Sequence, residues 1–280
     1  MNEGRESLTI QCPDLNRRRS LTTPTGLCHR WLVVNIRGSG RTDVGRVRTV
    51  NEDALVLRPD LAFFAVADGM GGEEKGEVAS RIFTESAGEI FSRGPSRSEK
   101  ETAQRVQKSF ALANERILSW AQANRVGKMG CTAELIAFFG SDHALGHVGD
   151  SRTYLFRNGA LKQLTRDHSL VQEHLDQGFL SPAEARKSPL RNIILRAVGT
   201  EETLDADLLR GKALAGDIFL LCSDGLTDMV DDRTIEQTLS QSLELPLKVD
   251  KLIERANLAG GIDNITVILC EIASEPEKAS

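Results

Sequence analysis

The sequence predicts an α+β fold in which antiparallel sheets are covered by helices. Strand-like and helix-like stretches come in blocks rather than in strict alternation, which argues against a parallel sheet. Asn158-Gly159 joins two strand-like runs, and this dipeptide favours the tight turn of an antiparallel hairpin because both turn positions need positive φ. The 280 residues are 40% hydrophobic, which is enough for one large core or at most two domains.

The N-terminal residues 1–29 show no sustained hydrophobic period, and we expect a flexible arm there. A folded domain is then expected over 30–272, followed by a short tail over 273–280. The arm carries Arg17-Arg18-Arg19. We interpret this run as solvent-exposed, and the alternative is a docking or kinase-recognition segment.

The first half of the folded part predicts short strands at 54–57 and 61–67, followed by two long helical stretches. In the second helix the apolar residues are spaced alternately four and three apart, which places them in one stripe along the helix. These residues are Val106, Phe110, Ala113, Ile117 and Trp120. We expect this helix to end before Asn124.

In the second half, the sequence predicts consecutive hairpins, followed by further strands and helices. The expected strands are 133–139, 143–148, 152–157, 160–164, 204–210, 217–222 and 265–271. A polar insertion at 165–192 should hold small helices, since Ser181-Pro182-Ala183-Glu184 is a capping box with proline at the first helical position. Helices are expected over 232–258 and should end at Gly260-Gly261.

Four acidic clusters lie at the ends of apolar, strand-like runs. They are Asp68-Gly69, Gly149-Asp150, Ser223-Asp224-Gly225 and Asp263-Asn264. Because strand ends can meet at one rim of a sheet, these carboxylates can converge. Massed together they would repel each other unless cations lay between them, and hard divalent cations prefer oxygen ligands. The sequence therefore predicts a metal site.

Charge and cysteine content exclude several other classes of protein. The net charge of −5 and the lack of a basic aromatic face disfavour a nucleic-acid partner. The five cysteines are scattered without a CxxC pair, so we expect reduced, structural thiols. No apolar stretch approaches the roughly 20 residues that a membrane span needs. We therefore expect a soluble, cytoplasmic protein.

Six motifs occur in an order and spacing that resemble a known family. They are Arg48-Thr49-Val50-Asn51-Glu52-Asp53-Ala54, Val66-Ala67-Asp68-Gly69-Met70-Gly71-Gly72, Gly130-Cys131-Thr132, Gly149-Asp150-Ser151-Arg152, Ser223-Asp224-Gly225-Leu226 and Asp263-Asn264-Ile265-Thr266-Val267. Together they resemble the metal-dependent protein serine/threonine phosphatases, the PPM or type 2C family, in their bacterial form. The resemblance covers about residues 40–271. It implies a four-layer sandwich of two antiparallel sheets flanked on both faces by helices.

The resemblance also implies a binuclear Mn²⁺ or Mg²⁺ centre in a cleft at one edge of the sandwich. In that arrangement Asp68 bridges both metals and the carbonyl of Gly69 ligates one of them. Asp224 and Asp263 hold the other metal. Asp150, together with Asp224, forms a weaker third-metal site.

Further roles follow from the same motifs. Glu52 and Asp53 would orient metal-bound waters, and Arg48 would grip the substrate phosphate as a bidentate donor. The alternative for Arg48 is a surface ion-pair residue. Many eukaryotic relatives have a histidine, proposed as the general acid, at the position of Met70, so no general acid is assigned. His147 is expected on a sheet face and His168 in solvent, neither with a catalytic role.

The function that the resemblance implies is hydrolysis of phosphoserine and phosphothreonine monoesters. A water bridging two ions about 3.5–4 Å apart would attack in line with the leaving oxygen. The substrates would be phosphorylated proteins, and the enzyme would oppose a cytoplasmic kinase in signal transduction. The insertion at 165–192 corresponds to the mobile flap of the family and is expected to shape substrate choice. The alternatives are a regulatory pseudophosphatase and a phosphatase for small esters.

Overall fold

The computed structural model describes residues 35–71, 75–185 and 188–273, together with the two-residue strand Ser7–Leu8. The remainder of the predicted arm at 1–29, the first residues of the predicted domain and most of the tail at 273–280 lie outside the described residues. The predictions for those segments therefore stay predictions.

The described strands form two antiparallel sheets. The first sheet has the order β1 (Ser7–Leu8), β2 (Ile36–Asp43), β12 (Ile265–Ile272), β11 (Ile218–Cys222), β8 (Arg152–Arg157) and β9 (Ala160–Gln163). The second has the order β10 (Asp207–Lys212), β7 (Asp142–Val148), β6 (Ala133–Phe139), β4 (Phe63–Met70) and β3 (Asp53–Arg58), with β5 (Gly130–Cys131) paired to the end of β4. We call these sheet A and sheet B.

Helices cover the outer faces of both sheets. The helices of the described residues are α1 (Lys75–Phe91), α2 (Glu99–Asn124), α3 (Leu170–Asp176), α4 (Pro182–Ala185), α5 (Asp224–Thr227), α6 (Asp232–Leu239) and α7 (Leu245–Leu258), with a 3₁₀ turn at Pro59–Leu61. Helices α1 and α2 pack on sheet B through Phe83 and Phe110, and α5 to α7 pack on sheet A through Leu226 and Leu252. The predicted four-layer α+β sandwich is confirmed.

A third apolar cluster fills the space between the sheets. It includes Phe64, Ile136 and Leu145 from sheet B and Phe219 and Ile268 from sheet A. All five side chains are fully buried. Burial of apolar area on this scale is the main favourable contribution to folding, and it holds the two sheets in a fixed relative position.

Most predicted elements lie within a few residues of the observed ones. Asn158 and Gly159 both have positive φ, as the hairpin prediction requires. Helix α2 includes Asn124 and so ends one residue later than expected, with Arg125 as its C-cap in the left-handed conformation. Strand β4 continues to Met70 rather than ending at 67, because its end pairs with β5.

Several observed elements were absent from the prediction, namely strands β1, β2 and β5 and helix α5. Strand β2 has the sequence IRGSGRTD, with few apolar residues, yet it pairs with β12 along all eight of its positions. Its strand conformation therefore comes from its position in the sheet rather than from its own hydrophobic pattern. Helix α5 is a single turn that starts at Asp224. None of the helices among the described residues has the length and apolar content to span a membrane.

Candidate metal centre and active site

Asp53 and Asp68 lie side by side on sheet B, at the end of the sandwich where the acidic motifs meet. They are opposite each other in the β3–β4 register. The backbone N–H of Asp68 donates to the Thr132 hydroxyl at 3.2 Å, and its carbonyl accepts from the Thr132 N–H at 2.8 Å. These contacts fix the backbone that presents the Asp68 carboxylate.

Asp150 and Asp224 approach the same cleft from loops that follow strands of the two sheets. Asp150 follows β7 and is 7% exposed, and Asp224 follows β11 and begins α5. The turn into α5 requires glycine at position 225, because a Cβ there would lie 2.0 Å from the carbonyl oxygen of Asn264. This close approach joins the Asp224 loop to the Asp263-Asn264 loop.

Arg48 and Asp263 form an ion pair at the rim of the cleft. The Nη2 atom of Arg48 lies 2.9 Å from Oδ2 of Asp263, and the arginine side chain is 52% exposed. The other Asp263 oxygen accepts from the backbone N–H of Asn264 at 2.8 Å. Arg48 is therefore both an ion-pair residue and a half-exposed cation beside the acidic cleft.

Glu52 and Gly69 are held together with the start of helix α1. The Gly69 N–H donates to the Glu52 carbonyl at 3.1 Å, and a carboxylate oxygen of Glu52 accepts from the Gly76 N–H at 3.1 Å. A Cβ on Gly69 would lie 2.2 Å from the Gly76 carbonyl oxygen, so only glycine fits there. The Ser80 hydroxyl also donates to the Glu52 carbonyl at 2.6 Å.

The electrostatics of the cleft disfavour a full set of charged carboxylates. Burial raises the pKa of Asp68 well above its usual value, and the charges of Asp53, Asp224, Asp150 and Asp263 raise it further. Burial and Asp150 raise the pKa of Asp224 in the same way. Burial raises the pKa of Asp53 to about 6 and that of Asp150 to about 7. Nearby positive charge would relieve this repulsion.

Three carboxylate oxygens in the cleft are buried without a hydrogen-bond partner. They are Oδ1 of Asp53, Asp150 and Asp224. A buried charged oxygen without a partner is costly, so the donor set fits hard divalent cations. No group of three or more acidic, histidine or cysteine side chains in the described residues encloses an ion by itself. Ions of the Mg²⁺ type keep several waters and suit such an open site.

Several residues that position the carboxylates were not assigned a role from the sequence. Oδ2 of Asp53 accepts hydrogen bonds from the hydroxyls of Ser223 at 2.8 Å and Thr266 at 2.6 Å, whereas Oδ1 has no hydrogen-bond partner. The Asn264 side chain accepts from the Glu52 N–H at 2.8 Å and donates to the carbonyls of Val44 and Val50. The motifs contained these residues, but only the fold reveals their partners.

One prediction about the histidines was wrong. His168 was expected in solvent, but it is 5% exposed, and its Nδ1 accepts from the Gly149 N–H at 3.2 Å. The reason is that the first residues of the insertion fold back over the end of β7. His147 lies on an interior sheet face as expected, fully buried and paired with Glu134. Cys131, Cys222 and Cys270 are buried free thiols, as predicted for this part of the chain.

A polar cavity of about 420 Å³ lies between the insertion and the acidic loops. Its lining includes Asp150, Asp167, Asp224, Asp228, Arg152 and Arg191. Arg191 of the insertion forms an ion pair with Asp228 at 3.4 Å, just beyond α5. The insertion at 165–192, which we call the flap segment, therefore contacts the same loops that carry Asp150 and Asp224.

Comparison with known proteins gives the class that this fold and site define. A family model described as "Protein phosphatase 2C" matches residues 43–259. The chain belongs to this family. It is a PPM-type protein phosphatase, and the recognition of the family from its motifs is confirmed.

Relatives with more than 30% identity include bacterial serine/threonine phosphatases. The serine/threonine phosphatase stp of Listeria monocytogenes is 37% identical over 236 residues, covering 82% of this chain and 94% of the relative. The crystal structure of the Mycobacterium tuberculosis serine/threonine phosphatase PstP/Ppp superposes with a TM-score of 0.80 at 35% identity, covering 85% of this chain and 99% of the crystallised chain. A structure of the PstP catalytic domain in complex with two manganese ions gives a TM-score of 0.79 at 34% identity, with the same coverage.

Proposed function

We propose that this chain hydrolyses phosphoserine and phosphothreonine monoesters in proteins, using Mn²⁺ or Mg²⁺, in the cytoplasm and in opposition to a serine/threonine kinase. The observation that carries the proposal is the set of unpartnered oxygens on Asp53, Asp150 and Asp224 around the buried Asp68. The manganese-bound PstP structure and the names of the relatives support the same reading.

In this proposal Asp68 and the Gly69 carbonyl hold one ion, and Asp68, Asp224 and Asp263 hold a second. Asp150 and Asp224 offer a third, weaker site. When bound, divalent cations would neutralise the phosphate charge and lower the pKa of a water for in-line attack. Each oxygen donor in this set is of the type that Mn²⁺ and Mg²⁺ share, so the donors do not select between them.

The other residues act on substrate and solvent. Arg48 can turn a guanidinium edge toward the phosphate while its side chain remains anchored by Asp263 at 2.9 Å. Glu52 and Asp53 are held by backbone and hydroxyl donors, so they can orient waters at the cleft without moving themselves. Met70 has no proton to donate, and solvent water would protonate the leaving alkoxide.

Two alternative functions differ in their measurable products. A phosphatase for small esters would turn over p-nitrophenyl phosphate and nucleotides but not phosphopeptides. A regulatory pseudophosphatase would bind phosphoproteins without turnover, and the presence of every expected carboxylate argues against it. The test compares matched peptides carrying phosphoserine, phosphothreonine or phosphotyrosine with p-nitrophenyl phosphate, in Mn²⁺. We expect phosphate release from the first two peptides, and release from the small ester alone would contradict the proposal.

A further inference from the structure

A buried polar network connects the two sheets near the acidic cleft. Glu134 on β6 and His147 on β7 lie opposite each other in register, and their fully buried side chains form an ion pair. The second carboxylate oxygen of Glu134 accepts a hydrogen bond from the Thr153 hydroxyl on β8 of sheet A. Two positions further along the same strand faces, Ile136 and Leu145 belong to the apolar core between the sheets. The network thus occupies a place where the core would otherwise continue.

Such a network is a poor way to gain stability. Taking two charges out of water costs several kcal/mol each, and their attraction often does no more than offset that cost. Well-packed apolar residues of similar volume are frequently neutral or stabilising replacements. The presence of Glu134 and His147 therefore calls for a role other than holding the sheets together.

The contacts of His147 lead to the base of the flap segment. Its Nε2 donates to the carbonyl of Arg166 at 2.8 Å. Its ring lies against the ring of His168, with 4.5 Å between centroids. The backbone N–H of His168 donates to the Gly149 carbonyl at 2.7 Å. In return, the backbone N–H of Gly149 donates to Nδ1 of the His168 ring. The first residues of the flap segment are therefore fixed to the backbone immediately before Asp150.

We propose that Glu134 and His147 are positioning residues that fix the base of the flap segment relative to the loop of Asp150. Glu134 orients the imidazole, and the imidazole holds the Arg166 carbonyl and the His168 ring in place. The cavity between the flap segment and the acidic loops then keeps the shape that a phosphopeptide enters. The effect of the Glu134–His147 pair on phosphopeptide binding rests on the proposed function, whereas its effect on the position of the flap segment does not.

The test replaces the network with apolar residues of similar size by combining Glu134→Leu, His147→Leu and Thr153→Val. The matched control is His143→Leu, because His143 lies on the same strand, is 6% exposed and contacts Phe138 and Phe219 rather than the flap segment. Three quantities are measured at neutral pH: the unfolding temperature, the rate of tryptic cleavage after Arg166, and the kinetics with a phosphopeptide and with p-nitrophenyl phosphate.

We expect the triple variant to unfold at the wild-type temperature or above it, while cleavage after Arg166 becomes about tenfold faster. The KM for the phosphopeptide should rise roughly fivefold, with kcat/KM for the small ester changed less than about twofold. A cleavage rate and a phosphopeptide KM equal to those of the control would overturn the proposal. If the triple variant does not unfold cooperatively, His147→Asn, which is too short to reach the Arg166 carbonyl, replaces it in the same comparison.

The two proposals fail in different ways. If the wild-type protein releases no phosphate in Mn²⁺, the proposed function fails, and the cleavage rates still decide whether the network positions the flap segment. If the wild type is active and the variant matches its control, the positioning role fails and the phosphatase assignment stands.

Discussion

Asp53 and Asp68 lie directly opposite each other on the adjacent strands β3 and β4, and the charge of Asp53 raises the pKa of the already buried Asp68. Like charges placed opposite each other across a strand pair are destabilising. Here one Asp53 oxygen is satisfied by the hydroxyls of Ser223 and Thr266, and the other has no hydrogen-bond partner. The fold thus maintains a repulsive pair that a bound cation would stabilise.

The first prediction concerns Asp224→Asn. The variant should lose activity at least about a hundredfold, because a proposed ligand is lost. In metal-free protein it should be more stable than wild type by roughly 1 to 2 kcal/mol at neutral pH, since a buried carboxyl that resists ionisation in the folded state is removed. Chemical denaturation in chelator measures this difference.

The pH dependence of that stability follows from the direction of the pKa shift. The folded-state pKa of Asp224 lies above its usual value of 3.8, so the penalty to the folded state begins as the pH rises above 3.8, where the unfolded chain ionises first, and is complete once the pH exceeds the folded pKa. The advantage of the asparagine variant should therefore shrink as the pH falls toward 3.8. An advantage that grows on acidification would contradict the assigned electrostatics.

The second prediction concerns Arg48→Ala. Loss of a charge-assisted contact to phosphate is worth about 1.5 to 3 kcal/mol, so kcat/KM should fall roughly 10- to 100-fold, chiefly through KM. The control is Arg58→Ala, since Arg58 is also an exposed arginine paired with an aspartate, Asp60. Steady-state kinetics on one phosphopeptide compare the two, and unchanged kinetics in Arg48→Ala would remove Arg48 from the site.

The third prediction concerns Asn264→Ala. The 5%-exposed side chain of Asn264 bonds to Glu52, Val44 and Val50, so its removal leaves three backbone groups without partners. We expect destabilisation of about 2 to 3 kcal/mol and a higher Mn²⁺ concentration for half-maximal activity. Asn257→Ala, which removes one bond to Asp43, is the control. Equal effects of the two substitutions on Mn²⁺ dependence would show that Asn264 has no special influence on the site.

The fourth prediction concerns His143, which lies between the sheets. Burial and the nearby Arg157 lower its pKa to about 4, against the opposing charges of Asp217 and Asp142. Because the folded pKa is below the usual value of 6.5, the unfolded chain binds the proton first, and stability falls as the pH drops from 6.5 toward 4. His143→Leu should remove up to roughly 2 to 3 kcal/mol of that pH dependence. Denaturation curves between pH 4 and 6.5 measure how the free energy of unfolding depends on pH. A variant with the same pH dependence as wild type would refute the prediction.

The sequence predicts the fold well where hydrophobic pattern and turn chemistry are both present. The hairpin at Asn158-Gly159 and the apolar stripe of α2 are local signals, and the structure contains both elements. Strand β2 has no comparable pattern, since its conformation depends on pairing with β12. The burial of His168 was missed for the same reason, because it results from a contact with Gly149 that is distant in sequence.

The site was predictable in outline and not in its supporting contacts. The motifs identify four candidate metal ligands, Asp68, Asp150, Asp224 and Asp263. This is possible because an acidic residue at the end of a strand-like run is recognisable from its immediate neighbours in the sequence. Hydrogen bonds such as Thr266 to Asp53 join residues 213 positions apart, and no local pattern indicates them. The metal and substrate roles of the candidates remain predictions until the variants are measured.

The most direct measurement of the central claim is a Mn²⁺ titration of metal-stripped protein, followed in parallel by hydrolysis of p-nitrophenyl phosphate and by thermal unfolding. We predict no activity in chelator, activity that rises with Mn²⁺, and an unfolding temperature that rises over the same concentration range. Asp68→Asn should show neither response. Full activity in chelator, or a wild-type response in Asp68→Asn, would contradict the assignment of a metal-dependent centre at Asp68.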